Sequence, residues 1–226
     1  MDSPVVSEIP NRPPGPAGRP FRLIVGLTGA SGVIYGIRLL EVLAAVSAVE
    51  THLIMTAAAR QTIVLETDWQ IADIEALADA TYRVGDIAAA ISSGSFPIDA
   101  MAVVPCSMGT LSAIAHSASD NLLERAADVT LKERRPLILL PRESPLHLGH
   151  LRLLVGAAEI GATICPPMPA FYNRPGTIAE LVDQTVGRLL DLLGIEVGRD
   201  LAPRWFGRAV VATTRPLPED PKDGAE

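Results

Sequence analysis

Lys132-Glu133-Arg134-Arg135-Pro136-Leu137-Ile138-Leu139-Leu140-Pro141-Arg142-Glu143-Ser144-Pro145 is the stretch whose reading decides the fold. A charged helix end gives way to an apolar run at 137–140, and that run to a loop carrying a cation and a carboxylate. A short, unbroken apolar run bounded by prolines is a strand covered on both faces. In open α/β sheets ligands bind at the carboxyl ends of such strands. There Arg142 can hold an anion through two parallel hydrogen bonds, and Glu143 can carry a proton to or from it. Taken alone, the segment reads better as a surface ion pair beside a turn-forming proline. The rest of the chain reverses that.

Strand-like and helix-like patterns alternate on both sides of it. Strands are expected at 22–27, 52–56, 100–104 (stopped by Pro105), 137–140 and 162–165. Helices are expected at 33–48, 57–65, 121–133 with Asp120 as N-cap, 148–160 ended by Gly161, and 178–193 closed by Gly194. Residues 68–86 are ambiguous, with a helix at about 71–78. Alternation of this kind implies a mostly parallel sheet with helices on both faces and right-handed crossovers. The expected fold is therefore a single-domain α/β three-layer, Rossmann-like doubly wound parallel sheet. Its ligand loops should follow the strands, near 28–32, 56, 105–110, 141–145 and 167–172.

The 226 residues suit one domain with tails: a proline-rich disordered arm at 1–20, a folded domain at 21–206 and a tail at 207–226. Apolar residues make up 48% but aromatics only 4%, so the core must be aliphatic. A net charge of −7 argues against nucleic acid or an anionic membrane as partner. No apolar run is long enough to span a bilayer. Cys106 and Cys165 form no Cys-x-x-Cys or metal spacing, which fits a reducing, cytoplasmic compartment.

Several loops carry chemistry. Thr28-Gly29-Ala30-Ser31-Gly32 joins the first strand to the first helix, where two glycines allow a tight turn and the helix N-terminus offers amides to an anion. It is neither Gly-x-Gly-x-x-Gly nor a P-loop, and read alone it is as much a structural turn. Pro105-Cys106-Ser107-Met108-Gly109-Thr110 follows the third strand in the same way. Cys106 has no histidine near it in sequence and reads as a small buried apolar residue rather than a nucleophile. Arg125 and Lys132, seven apart on one helix, point the same way. Considered by themselves they belong to a solvated face, with Lys132 paired to Asp128 and Arg125 to Asn121 or Glu124. His147 and His150 lack a third metal ligand. Tyr172 has a hydroxyl to offer an anion, and Arg188 either snorkels or reaches one.

Taken in order, residues 28–32 with Tyr35-Gly36, Glu66-Thr67, 105–110, 120–132, 134–145, His150 and Phe171-Tyr172 resemble the UbiX-type flavin prenyltransferases, over about residues 22–205. The resemblance implies a flavoprotein-type fold and a homododecamer built from trimers. It implies reduced FMN as prenyl acceptor, dimethylallyl monophosphate as donor, ring closure at N5 and C6, and no metal. The product would serve a UbiD-type decarboxylase. Position by position it implies an FMN site of Gly29, Ala30, Ser31, Thr56, Ser107, Met108, Gly109, Thr110 and Arg142. The prenyl phosphate would be held by Lys132, Tyr172 and Arg188, with Arg125 and Arg142. Glu143 would handle protons, with Ser31, Glu66 and Lys132 as further catalytic residues. Trp205 matches a C-terminal tryptophan of some members. One departure stands out: members carry a tryptophan near the position of Ile87, and an isoleucine offers no π-face to an allylic cation.

Two other readings remain. One is an FMN-dependent oxidative decarboxylase of cysteine-type substrates, which shares the fold but uses a catalytic histidine and an Asn-rich motif not found here. The other is a non-catalytic FMN carrier.

Overall fold

Why 137–140 is unbroken in hydrophobicity becomes plain in the computed structural model, which describes residues 18–204. Six parallel strands form one sheet: β1 (Phe21–Leu27), β2 (Val49–Met55), β3 (Ala80–Arg83), β4 (Ala100–Cys106), β5 (Leu137–Pro141) and β6 (Thr163–Ile164). Their order is β3-β2-β1-β4-β5-β6. Every residue of β4 and β5 is buried, because helices cover both faces.

The helices are α1 (Val33–Ala44), α2 (Ala57–Glu66), α3 (Ile71–Glu75), α4 (Met108–Ala115), α5 (Leu122–Lys132), α6 (Leu148–Glu159) and α7 (Ile178–Leu193). α1, α2, α3 and α7 contribute to one aliphatic cluster, through residues such as Ile37, Leu40, Ile63, Ile74, Val186 and Leu189. α4, α5 and α6 contribute to the other, through Leu111, Leu123, Ala126 and Ala157. The expected three-layer doubly wound sheet is thus the observed one, and its core is aliphatic.

Several boundaries differ from expectation. α1 stops at Ala44 rather than 48, because residues 45–48 turn through Val46 N to Leu43 O (2.8 Å) and Val49 N to Val46 O (3.0 Å), and so deliver the chain to β2. α3 stops at Glu75, short of 78, and β3 follows within the ambiguous stretch. Asp79 carries out that change by accepting the Thr51 amide (2.7 Å) and hydroxyl (2.9 Å). Pro105 does not stop β4. The strand continues to Cys106 past a register shift in the β4–β5 ladder, where proline's missing N–H is tolerated. The N-cap of α5 is Asn121, whose Oδ1 accepts the Leu123 and Glu124 amides (3.0 and 3.1 Å), not Asp120. α4 was not anticipated, and β6 is shorter than 162–165.

The arm, tail and Trp205 expectations lie outside the described residues, apart from residues 18–20. Of these, Arg19 is already tied to Asp99, at 2.6 and 2.9 Å.

On β2, the buried His52 stacks on Tyr82 of β3 (centroids 5.8 Å) and meets the Phe96 edge (5.6 Å). Its Nδ1 lies 3.0 Å from the Tyr82 hydroxyl. Its Nε2 is 3.1 Å from a Glu50 oxygen, off the line of a good hydrogen bond. Burial pushes the imidazole pKa down; Arg22 adds to that, while Glu50 and Asp79 oppose it. The folded protein therefore prefers neutral His52, whereas in the unfolded chain a histidine takes up a proton below about pH 6.5. The stabilisation is complete above that pH and is lost as pH falls through it. We expect the urea midpoint to drop between pH 7 and pH 5 and the drop to shrink in His52→Gln; an equal drop in the variant would assign the acid sensitivity elsewhere.

Candidate active site

All the loops named as ligand-bearing emerge on one edge of the sheet, the carboxyl ends of the strands. Between β1 and β4 the order of connection reverses, which opens a crevice. Backbone bonds tie the loops laterally. Thr56 N donates to Leu27 O (3.0 Å), and Arg142 N to Cys106 O (3.4 Å). Across the crevice the link is a side chain: buried Thr28 Oγ1 donates to Pro105 O and accepts from Ser107 N, both at 2.7 Å. In the sequence Thr28 is one residue of a glycine-containing loop, and no spacing rule singles it out.

The first loop packs on the first turn of α2. A Cβ on Gly29 would lie 2.3 Å from that of Ala58, so only glycine fits. Gly32 is left-handed (φ 100°) and leads into α1. Two of the amides expected to be open to an anion here are already taken: Glu66 Oε2 accepts Gly32 N (2.8 Å) and Val33 N (3.4 Å). Glu66 thus sits as a charged cap on α1, donated by the end of α2. Ala30 is buried and Ser31 half-buried beside it.

The second loop leaves more room. Ser107 caps α4, its Oγ accepting the Thr110 amide (3.3 Å) and donating to the Thr110 hydroxyl (3.1 Å). The amides of Met108 and Gly109 fall in the first turn, where no intrahelical carbonyl accepts them. Beyond Gly109 there is open space, with no atom within 4 Å of where a Cβ would stand. A planar ligand can therefore approach this backbone, as a flavin would need. Thr56 spends its hydroxyl on capping α2, accepting Ala59 N (3.1 Å).

Arg142 and Glu143 are exposed at the end of β5, and Glu143 Oε1 accepts the Ser144 amide (3.0 Å). Tyr172 and Arg188 line one cavity of about 490 Å³ with Cys165 and Gln184. Gln184 was missed. It accepts Ala170 N (3.2 Å), and its place four residues before Arg188 on α7 was the available signal.

Lys132 is not with them. It pairs with Glu133, not Asp128, and lies against Gly94. This is the opposite end of the sheet, before β5 begins. Arg125 Nη1 pairs with Asp128 (2.9 Å), and its Nε donates to Ser92 O (3.2 Å). Lys132 and Arg142 thus flank β5 at opposite ends within one chain. Ile87, half-exposed, stands in the loop after β3.

The remaining candidates are structural. Cys106 is fully buried, and burial drives its thiol pKa far up; burial also raises that of Cys165, against the pull of Arg188. His147 caps α6 by accepting Gly149 N (3.0 Å) and packs against His150. Among the described residues no three His, Cys, Asp or Glu side chains gather as a metal would require.

The family model described as Flavoprotein matches residues 15–190. The flavin prenyltransferase UbiX of Escherichia coli K12 is 60% identical over 186 residues, covering 82% of this chain and 98% of that protein. A dodecameric FMN-dependent UbiX-like decarboxylase from Escherichia coli O157:H7 superposes with a TM-score of 0.80 at 48% identity, over 83% of this chain and 100% of that one. AnUbiX in complex with FMN and dimethylallyl pyrophosphate does so at 0.81 and 48%, over 84% and 99%.

The Gly29–Ala58 contact yields a stability test. Gly29→Ala should cost about 1–3 kcal/mol, as overpacking does. Adding Ala58→Gly should restore part of that, since the opposing methyl is removed but the Ala58 backbone remains close. Urea denaturation of both variants checks this; no recovery in the double variant would mean that the strain lies elsewhere.

Proposed function

The chain belongs to the flavoprotein family and, within it, to the flavin prenyltransferases, and from that premise we propose that it joins the dimethylallyl group of dimethylallyl monophosphate to N5 and C6 of reduced FMN, making prenylated FMN for a UbiD-type decarboxylase. The observation that carries this is spatial. The loops carrying residues 29–31 and 107–110 flank the crevice between β1 and β4, with open space at Gly109, and Thr56 and Arg142 follow the adjacent strands β2 and β5, which supports this reading.

In this reading Gly29, Ala30, Ser31, Thr56, Ser107, Met108, Gly109, Thr110 and Arg142 hold FMN, which when bound supplies the nucleophilic N5 and C6. The donor's C–O bond breaks as the prenyl carbon is transferred, so negative charge grows on the departing phosphate. Lys132, Arg125, Arg142 and Arg188, with the Tyr172 hydroxyl, stabilise it where it develops. Glu143 delivers a proton to the phosphate or takes up one released from the ring.

Because Lys132 and Arg142 lie at opposite ends of β5, a site using both draws on more than one copy of the chain. An apolar stripe on α6 supports self-association: Leu148, Leu151 and Val155 are 60, 46 and 57% exposed. We assign a homododecamer with the flavin at a subunit boundary, working in the cytoplasm. Among the described residues no helix is long and apolar enough to cross a membrane. The cysteine-decarboxylase reading is disfavoured by the missing histidine and Asn-rich motif. A mere FMN carrier would bind flavin without changing it. Incubation with reduced FMN and dimethylallyl monophosphate, followed by mass and absorbance of the recovered flavin, decides: unaltered FMN would overturn the proposal.

Three variants test the division of labour. Lys132→Ala or Arg188→Ala should weaken prenyl phosphate binding by about 1.5–3 kcal/mol, the worth of one charge-assisted contact, with FMN retained. Collapse of FMN retention would show that these cations belong to the flavin site. Glu143→Gln keeps shape and hydrogen bonding but cannot exchange a proton. It should bind both molecules normally yet form prenylated flavin at least ~10²-fold more slowly in anaerobic single turnovers. An unchanged rate would remove Glu143 from the chemistry.

A further inference from the structure

Between β1 and β4 the backbone ladder ends at the Gly26–Val103 pair, whereas β1 and β2 stay paired to Leu27–Met55. Past Val103 the β4–β5 register also shifts. Pro105 O and Ser107 N therefore leave the sheet unpaired by it, in a region where β4 is wholly buried. One hydroxyl meets both: Thr28 Oγ1 donates to the carbonyl and accepts from the amide at 2.7 Å each. Thr28 is 1% exposed, so its side chain is spent on this bridge and cannot itself touch a ligand on the surface of the crevice.

On the far side of the bridge Ser107 caps α4 and sets the direction of its first turn. On the near side Thr28 O accepts Ala30 N (2.9 Å) and shapes the turn through Gly29. We propose that Thr28 is the positioning residue of the flavin site, its hydroxyl fixing the separation and orientation of the 29–31 and 107–110 backbones so that both address one flavin. The inference rests on the FMN reading above. The physical reason is asymmetry: a buried donor or acceptor left without a partner is costly, so without the hydroxyl the two loops move apart to reach water. The neighbouring junctions are closed by main-chain bonds, Thr56 N to Leu27 O and Arg142 N to Cys106 O, which side-chain substitutions other than proline leave in place.

The test compares Thr28→Val, which keeps the shape without the hydroxyl, with Thr28→Ser, which keeps the hydroxyl. FMN affinity is read by quenching of flavin fluorescence, and folding by thermal unfolding of the FMN-free protein. Thr28→Val should bind FMN roughly 10- to 100-fold more weakly, the range expected when buried partners are orphaned. Its Ser107 amide should exchange hydrogen faster. Thr28→Ser should restore both. A purely structural role would lower the unfolding temperature of the valine variant and leave the affinity of its folded molecules unchanged, and that result overturns the proposal. Should the valine variant fail to fold, Thr28→Cys replaces it: the thiol bridges poorly, so cysteine must bind FMN more weakly than serine, and equal affinity overturns the proposal. If the parent itself does not bind FMN, the functional reading falls and this inference with it. If the parent binds and all Thr28 variants match it, only the role of Thr28 is lost.

Discussion

The structure turns on one junction, where β1 and β4 lie side by side and the chain changes the direction in which it adds strands. Paired backbones hold the sheet together everywhere below that point. Above it the strands part, and two 2.7 Å hydrogen bonds to the Thr28 hydroxyl span the gap. Everything the protein offers a flat ligand hangs on that edge: the glycine turn seated on α2, the Ser107 cap and the open backbone at Gly109. A sheet buried on both faces is what makes the edge rigid, since β4 and β5 have no exposed side on which to flex.

Charge is distributed by the same geometry. The helix dipole of α1 is partly answered within the chain by Glu66, which takes the Gly32 and Val33 amides of that terminus. More open to a ligand are the α4 terminus and the exposed cations. Those cations are divided between the two ends of the sheet: Arg142 stands above β5, while Lys132 lies below it against Glu133 and Gly94. Self-association is the economical way to bring them together, and the exposed leucines and valine of α6 provide apolar surface for it.

Much of this was readable in the chain. Unbroken apolar runs at 22–27, 100–104 and 137–140 announce strands covered on both faces, because only a doubly covered sheet needs side chains apolar in both directions. Helical spacing, with Gly194 closing α7, located α5 and α7 to within a residue or two, although the cap of α5 is Asn121 rather than Asp120. The family resemblance rested on loop residues, which is where an α/β protein keeps its chemistry. Less legible were α4, whose start coincides with a loop-like Ser-Met-Gly-Thr, and β3, whose pairing depends on Asp79 reaching Thr51, 28 residues away.

The sequence by itself determined the alternation of strands and helices apart from β3 and α4, the aliphatic core and the kinds of group presented at each loop, since these follow from local periodicity and residue chemistry. Only the tertiary structure decided which of those groups meet. Glu66 became a cap on α1, α7 brought Arg188 to the loop carrying Tyr172, and Lys132 was parted from Arg142, because strand order and crossover direction, which no local pattern encodes, set where each element ends.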